Sequence, residues 1–340
     1  MTQSINDNTR LTFLDVMKRE CKDEALLLGN ALAQTNEILE DLLLIKGNEK
    51  NGNRVAKYTN LATASRRRAN QGVSPSKSGV DQQYDACSIW ADRIAIDELV
   101  AAQSVDRALM LQQEIEAKRE NLNILMAYDL FYGQPATTVD SMMGIQPRLN
   151  TSTIPTVLLA GGSSALTSAY FLTHDLNSFM AFYPESHPGG IKYMNRGPNQ
   201  PITDASSKTF YGEVHDLEWA LGISLKNERR CARIANIATG SLTPYGSNIG
   251  TSGASAGSVD LPTLFLRAAN SFQNLRDSTK VCYVNRTLLS YIAQQVANKS
   301  NNFFGFTSQT IEGNDQPILR IQGIRIKLVE QISNAEATVS

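Results

Sequence analysis

The most regular hydrophobic pattern of the chain lies between residues 96 and 133. The segment IDELVAAQSVDRALMLQQEIEAKRENLNILMAYDLFYG contains no proline, and its only glycine is Gly133 at the end. Apolar residues recur in it at steps of three and four, with a gap around Lys118, which predicts one amphipathic helix. These residues are Ala101, Val105, Ala108, Leu111, Ile115, Leu122, Leu125 and Met126. Some thirty helical residues would form a rod of roughly 45 Å, which needs a broad surface such as a large twisted sheet.

A shorter helical pattern precedes it in the first 45 residues, which are acidic. Asn36 is placed to cap a helix, and Gly47 is placed to end it. The apolar side of this helix would be formed by Leu39, Leu42, Leu43 and Ile45.

Residues 54–78, RVAKYTNLATASRRRANQGVSPSKS, predict an extended arm. It contains Tyr58, Leu61 and Val73 but little else that could face a core. Turn signals flank the segment at residues 51–52 and 72–75, and the apolar pattern of residues 84–96 predicts a strand that returns to the body. A lone two-stranded hairpin is marginally stable in water, so the arm needs another surface on which to pack.

The second half of the chain predicts mainly strands with helices between them. TVLLAGG and SFMAFYP are typical of buried strands, and residues 208–237 predict a long hairpin with Gly222 near its turn. Residues 239–258 form a loop rich in glycine, serine and threonine. LPTLFLRAANSFQNL predicts a helix, KVCYVNRTLLSYIAQQVANKS a strand followed by a helix, and PILRIQGIRIKLVEQI two final strands. The predicted class is α+β.

Composition narrows the class of protein. The 340 residues are 42% hydrophobic and 19% charged, which is typical of a folded globular chain. The start of the chain has no signal-peptide pattern, and no apolar window reaches the ~18 residues of a membrane span. Four cysteines lie far apart in the sequence, which predicts free, mostly buried thiols in a reducing cytoplasm. We therefore expect a soluble product with no membrane partner.

Charge is unevenly distributed. Residues 46–80 contain eight basic residues and one acidic residue, a net +7, whereas the whole chain carries −1 and the remainder therefore −8. A basic arm on an acidic body suggests that the arm meets another copy of that body. The alternative is a solvated loop that is basic without a partner. A net charge near zero disfavours nucleic-acid binding by bulk electrostatics.

The sequence contains no recognisable catalytic or cofactor pattern. Its three histidines are not arranged as a zinc motif, and GTSGASAG lacks the G-K-[ST] ending of a phosphate-binding loop. No nucleophile motif of the G-x-S-x-G type is present. We therefore predict neither an enzyme nor a bound metal or cofactor.

The order of these parts resembles the major capsid protein of tailed bacteriophages, which has the Hong Kong 97-type (Johnson) fold. The resemblance is greatest to the epsilon-fifteen-like podovirus group. It is carried by TNEILEDLLLIKGN, GNRVAKYTNLATASRRRANQGVSPSKS, YDACSIWADRIAIDELVAA, LFYG, VNRTLLSYIAQQ and IQGIRIK. Residues 140–260 match only by order and length. Ser65 and Ile324 stand where relatives often carry tryptophan and proline.

The resemblance implies a coat protein that forms hexamers and pentamers of the icosahedral head enclosing double-stranded DNA, without sequence-specific binding. It implies location in the virion, assembly in the cytoplasm of the host bacterium, and help from a scaffolding protein and a portal. A decoration protein and a permuted chain order are left open. An encapsulin-type cellular nanocompartment shell is the alternative.

The resemblance also implies a division of the chain. Residues 1–45 would be the N-terminal arm, 46–83 the β-hairpin called the E-loop, and 84–138 the peripheral domain with the long spine helix. Residues 139–207 and 261–340 would form the axial domain, the latter with the C-terminal strands. Residues 208–260 would form the long hairpin and the glycine-rich loop.

In such shells the E-loop lies over a neighbouring subunit, so we expect contact between a basic and an acidic surface. The basic residues of the arm are Arg54, Arg66, Arg67, Arg68 and Lys77. The expected acidic partners on the spine helix are Asp97, Glu98, Asp106, Glu114 and Glu116.

Overall fold

The computed structural model describes the greater part of the chain. The described residues are 11, 20–21, 24–25, 34, 36–203, 206–243, 259–271, 279–298, 304–311 and 314–340. Among them, no helix combines the length and the apolar composition needed to cross a membrane.

Strands and helices come in runs along the chain and do not alternate, as expected of an α+β protein. The helices are α1 Ile38–Asp41, α2 Glu98–Gln103, α3 Arg107–Tyr132, α4 Ile145–Arg148, α5 Leu261–Ser271 and α6 Arg286–Asn298. The strands of the first half are β1 Glu20–Cys21, β2 Glu24–Ala25, β3 Leu44–Lys46, β4 Gly52–Asn60, β5 Gly79–Ala86 and β6 Ser88–Asp97. Those of the second half are β7 Val157–Leu159, β8 Leu166–His174, β9 Phe179–Tyr183, β10 Ile191–Thr203, β11 Thr209–Leu225, β12 Ala232–Ala238, β13 Thr279–Val284, β14 Phe304–Ile311, β15 Asn314–Ile321 and β16 Ile324–Leu328.

The long helix is present, but it is interrupted near its start. Ser104 adopts an extended conformation after α2. Asp106 then begins α3, because its Oδ1 atom accepts a hydrogen bond from the Leu109 backbone N–H at 3.0 Å. Serine and aspartate side chains compete with the helical backbone for hydrogen bonds, which explains the break. Gly133 ends α3 as predicted, and its N–H donates to the Asp129 carbonyl.

The spine helix, defined here as α2 and α3, packs on a sheet of β10, β11 and β6. All pairings in this sheet are antiparallel. Its apolar interface with the helix contains Ile94, Ile96, Val100, Ala101, Met110, Leu122 and Leu217. The broad surface that a long helix needs is therefore this three-stranded sheet.

The predicted β-hairpin is confirmed: β4 and β5 pair antiparallel, and most of this hairpin lies within the arm, defined here as residues 46–83. Pairing runs from Gly52 opposite Ala86 to Asn60 opposite Gly79. The return strand predicted for residues 84–96 is divided between β5 and β6, on either side of Cys87.

The prediction for residues 36–45 is wrong beyond the first turn. Glu37, not Asn36, stands at the cap of α1, and it provides no side-chain cap. Leu44–Lys46 forms a strand parallel to β9, while the Glu37 backbone N–H and carboxylate both bond to Leu328. Long-range pairing with other strands overrides the local helical preference.

The predicted hairpin of residues 208–237 is also wrong. β11 is one strand of 17 residues, and Gly222 lies within it. The last four residues of β11 pair with β9, whereas β12 pairs with β7 and β8. Gly222 is required by close packing, since a Cβ atom there would lie 2.5 Å from the Phe182 ring.

The other predicted elements of the second half are confirmed. TVLLAGG contains β7 and SFMAFYP contains β9, and the later segments form α5, β13, α6, β15 and β16. A hydrophobic core joins α5 and α6 to strands β8, β12, β13, β15 and β16, and it contains Phe171, Leu264 and Ile292. Most of the glycine-rich loop, residues 244–258, lies outside the described residues.

Candidate intersubunit surfaces

The tip of the arm, defined as residues 61–78, contacts little of its own subunit. Every residue of the tip is exposed, and Leu61 is 78% exposed. Its side-chain hydrogen bonds are local, from Arg67 Nε to the Gln71 carbonyl at 2.8 Å and from Ser76 Oγ to the Thr63 carbonyl at 2.7 Å. Two apolar side chains in solvent, Leu61 and Val73, make the tip a surface without a core in its own subunit.

The end of the β4–β5 hairpin next to the body, called here the root of the arm, is in contrast anchored by buried charges. Asp85 on β5 pairs with Arg148 on α4 at 2.8 Å, and their side chains are 2% and 4% exposed. Asp85 also accepts hydrogen bonds from Gln83 at 2.8 Å and Ser224 at 2.7 Å. The root therefore fixes the direction in which the tip projects.

The predicted basic residues of the arm lie in two different places. Arg54 is near the root, where it pairs with Glu49 at 2.8 Å. The arginine triplet (Arg66, Arg67 and Arg68) and Lys77 lie in the exposed tip. None of these four forms an ion pair within the described part of the chain, so the tip has cationic groups available to a partner.

The predicted acidic residues of the spine helix have mixed roles. Asp97 caps α2 through a 2.9 Å hydrogen bond from Leu99 N–H, and Asp106 caps α3 in the same way. Glu98 is exposed, Glu114 is half-buried, and exposed Glu116 accepts a hydrogen bond from Gln112 at 3.0 Å. The two aspartates thus stabilise helix ends, while the glutamates are the better candidates for contacts with a neighbour.

Two of the three basic residues of the spine helix are turned toward the sheet, which leaves exposed Arg119 against a larger number of glutamates on its outer side. Arg107 pairs with Glu213 on β11 at 2.6 Å, and Lys118 pairs with Asp92 on β6 at 2.9 Å. Both cations therefore neutralise carboxylates of the sheet beneath the helix. The sequence predicted the surplus of acidic residues on this helix, but not this use of its basic residues.

A feature that the sequence reasoning missed is a cavity of about 610 Å³ at the C-terminal end of α3. Asp129 lines it and is only 6% exposed. Its Oδ2 atom accepts hydrogen bonds from Ser88 Oγ at 2.6 Å and Trp90 Nε1 at 2.9 Å. The signal in the sequence was one carboxylate in the otherwise uncharged run LMAYDLFY.

The thiols of three cysteines and the imidazole of His174, groups that could take part in chemistry, are buried. Cys87, Cys231 and Cys282 are free and buried, as predicted, and burial raises the pKa of the Cys87 thiol to about 12. Burial lowers the pKa of His174 to about 4. No group of three or more potential metal ligands occurs within the described ranges.

Comparison with known proteins gives a family and a fold. A family model described as Major capsid protein GP7 matches residues 22–340. The cryo-EM structure of bacteriophage epsilon15 aligns over 99% of both chains with a TM-score of 0.74 and 21% identity. The bacteriophage JBD30 capsid aligns over 89% of this chain and 93% of its own, with 9% identity and a TM-score of 0.48. An encapsulin complex from Synechococcus elongatus aligns over 67% of this chain and 96% of its own, with 9% identity and a TM-score of 0.43. No curated protein sequence matches.

Proposed function

The chain belongs to the major capsid protein GP7 family, and from this premise we propose how its copies hold one another in the shell. It is a coat protein of a phage virion with the Hong Kong 97-type fold, and it forms the icosahedral head. The encapsulin-type alternative is not favoured, since the matching family model is that of a capsid protein.

We propose that the tip of the arm lies on the spine helix of a neighbouring subunit. The observation that carries this proposal is the exposure of the whole tip, residues 61–78. A nine-residue strand such as β4 spans roughly 30 Å, so the arm is long enough to leave its own body. The arginine triplet and Lys77 would meet Glu98, Glu114 and Glu116, with Arg54 supporting the arm near its root.

Each of these contacts is weak alone. An exposed ion pair contributes about 0–1 kcal/mol, and salt screens it. A closed shell repeats the same contact in every subunit, so many modest contacts together stabilise the particle. We accordingly propose that the subunits form hexamers and pentamers and that shell formation weakens as ionic strength rises.

The remaining partners follow from the same proposal. A scaffolding protein and a portal would guide assembly in the host bacterial cytoplasm, and the finished shell would enclose double-stranded DNA without sequence-specific contacts. A net charge of −1 supports a container that does not hold its DNA by bulk attraction. The role of the chain is structural, and the division into arm, peripheral and axial domains is proposed with the limits given above.

The test is charge reversal in the arginine triplet. Replacing Arg66, Arg67 and Arg68 by glutamate should abolish shells in electron microscopy and light scattering, while circular dichroism shows a folded subunit. Glutamine at the same positions is the matched control and should weaken assembly less. Adding Glu98→Lys and Glu116→Lys to the glutamate variant should restore shells in part, because the new lysines can pair with the new glutamates. Neither Glu98 nor Glu116 caps a helix, so these changes should leave the subunit folded. Normal shells from the glutamate variant would refute the proposed arm contact.

A further inference from the structure

The cavity at the C-terminal end of α3 has the chemistry of a site for a cationic side chain. Three aromatic residues, Trp90, Tyr128 and Tyr132, line it together with Asp129. The faces of aromatic rings attract a cation such as a guanidinium group, because the ring carries a negative face. The cavity is open and large enough for more than one side chain.

Asp129 is a buried carboxylate without a cation. Ser88 and Trp90 both donate to Oδ2, and Oδ1 receives no hydrogen bond from any residue that the structure describes. No arginine or lysine of the described chain pairs with it. A buried charge is ordinarily paired, so the missing partner is the unusual feature of this site.

The C-terminal end of α3 also favours a cation in this cavity. The carbonyl groups of the last turn give the C-terminus of a helix a partial negative charge, which favours cations. Asp140, which is exposed, lies at the rim of the same cavity. Two carboxylates, a helix C-terminus and three aromatic rings therefore converge on one space, and none of the described residues that line it is basic.

We propose that this cavity receives a guanidinium group from the arginine triplet of a neighbouring copy. The inference rests on the proposed arm contact and deepens it by assigning the strongest cation site to Asp129 instead of the exposed glutamates. Charge complementarity selects this occupant, because the tip carries three adjacent arginines that form no ion pair with any residue in the described ranges. The apolar side chains of Leu61 and Val73, also on the tip, would cover the aromatic rim.

The first experiment compares Asp129→Asn with the rim variant Asp140→Asn. Asparagine keeps the shape and can accept the hydrogen bonds from Ser88 and Trp90, but it removes the charge. We expect Asp129→Asn to raise the subunit concentration needed for half-maximal assembly at least about tenfold, with the thermal stability of the unassembled subunit unchanged or increased. Asp140→Asn should raise that concentration less than about threefold.

A double-mutant cycle identifies the occupant. In subunits that carry Asp129→Asn, replacing the arginine of the triplet that fills the cavity by glutamine should cause little further loss of assembly, whereas the same replacement in the parent should cause about a tenfold loss. The three arginines are tested singly. Full additivity at all three positions would overturn the inference. The proposed arm contact would survive that result if reversal of the triplet still abolished shells.

Tryptophan fluorescence gives a second measurement. It leaves Asp129 unchanged, so its result does not depend on whether a variant at Asp129 folds. The chain has two tryptophans, and Trp219→Phe leaves Trp90 as the only reporter in the cavity. Its emission should shift when subunits assemble and the guanidinium group reaches the ring. An emission spectrum identical in free subunits and shells would overturn the inference.

Discussion

Replacing Asp85 with asparagine removes the charged partner of Arg148 at the root of the arm. The change keeps the volume of the side chain and the possibility of hydrogen bonds, so its effect reports on charge. Both side chains are almost fully buried, at 2% and 4% exposure, and their atoms are 2.8 Å apart. Arg148 also donates to the Met143 and Ile223 carbonyls at 3.1 and 3.3 Å, so its guanidinium group cannot turn into solvent without losing these bonds.

The expected loss of stability is large for one conservative change. With an effective dielectric constant of about 20, two unit charges at this separation attract by roughly 6 kcal/mol. Much of that is offset by desolvation, and breaking a buried pair from one side typically costs about 3–5 kcal/mol. In a chain of 340 residues, with an unfolding entropy of about 2.1 cal/mol/K per residue, such a loss corresponds to a fall in melting temperature of roughly 4–7 °C.

The assay is thermal and denaturant unfolding of the unassembled subunit. Glu49→Gln is the matched control, because it breaks the Arg54–Glu49 pair at the same root, where the side chains are 51% and 36% exposed, and should change the unfolding free energy by less than about 1 kcal/mol. Replacing Asp85 by leucine and Arg148 by methionine together should recover most of the stability, since no buried charge is left unpaired. Equal melting temperatures for Asp85→Asn and the parent would refute this account of the root.

Three further measurements test other parts of the fold. Gly222→Ala should destabilise the subunit by about 1–3 kcal/mol because its Cβ meets the Phe182 ring, whereas Gly72→Ala, with open space around it, should not; equal effects would contradict the packing argument. Burial lowers the pKa of His174 to about 4, so the unfolded chain binds a proton below about pH 6.5 before the folded one does. Stability should therefore fall between about pH 6.5 and 4, by up to about 3 kcal/mol, and His174→Gln should remove that dependence; an unchanged pH profile would exclude it. Burial raises the pKa of the Cys87 thiol to about 12, so mass spectrometry should find it unlabelled by a thiol reagent at pH 8 until the subunit unfolds.

The elements that could be predicted from the sequence are those whose signal is local. The spine helix has a long apolar period and no proline, and the arm has turn residues at both ends with almost nothing apolar between them. Neither pattern needs information about distant residues. The family resemblance was also carried by contiguous segments, the most specific of which spans residues 36–78.

The elements that could not be predicted depend on partners far along the chain. Gly222 looked like a turn residue, but it makes room for Phe182, 40 positions earlier. Arg233 and Glu336 form a buried pair at 2.8 Å that ties the C-terminal segment to β12, and nothing in their neighbouring residues indicates it. In the sequence Asp129 is only a lone carboxylate in an apolar run, because its burial, and the lack of a cation beside it among the described residues, are properties of the fold.

The charges of the subunit are arranged so that its internal pairs leave two complementary surpluses. Arg107 and Lys118 are used within the subunit on Glu213 and Asp92, so the outer side of the spine helix keeps a net acidic surplus in spite of exposed Arg119. The arginine triplet, on a tip whose residues are all exposed, leaves the arm basic. Exposed unpaired charges destabilise an isolated subunit little, because water solvates them. For the same reason they attract a neighbouring subunit only weakly. Asp129 differs because its charge is buried, so the free subunit bears a desolvation cost that a cation from another copy would offset. On this reasoning the exposed charges guide subunits together, and the buried carboxylate favours the assembled state over the free one.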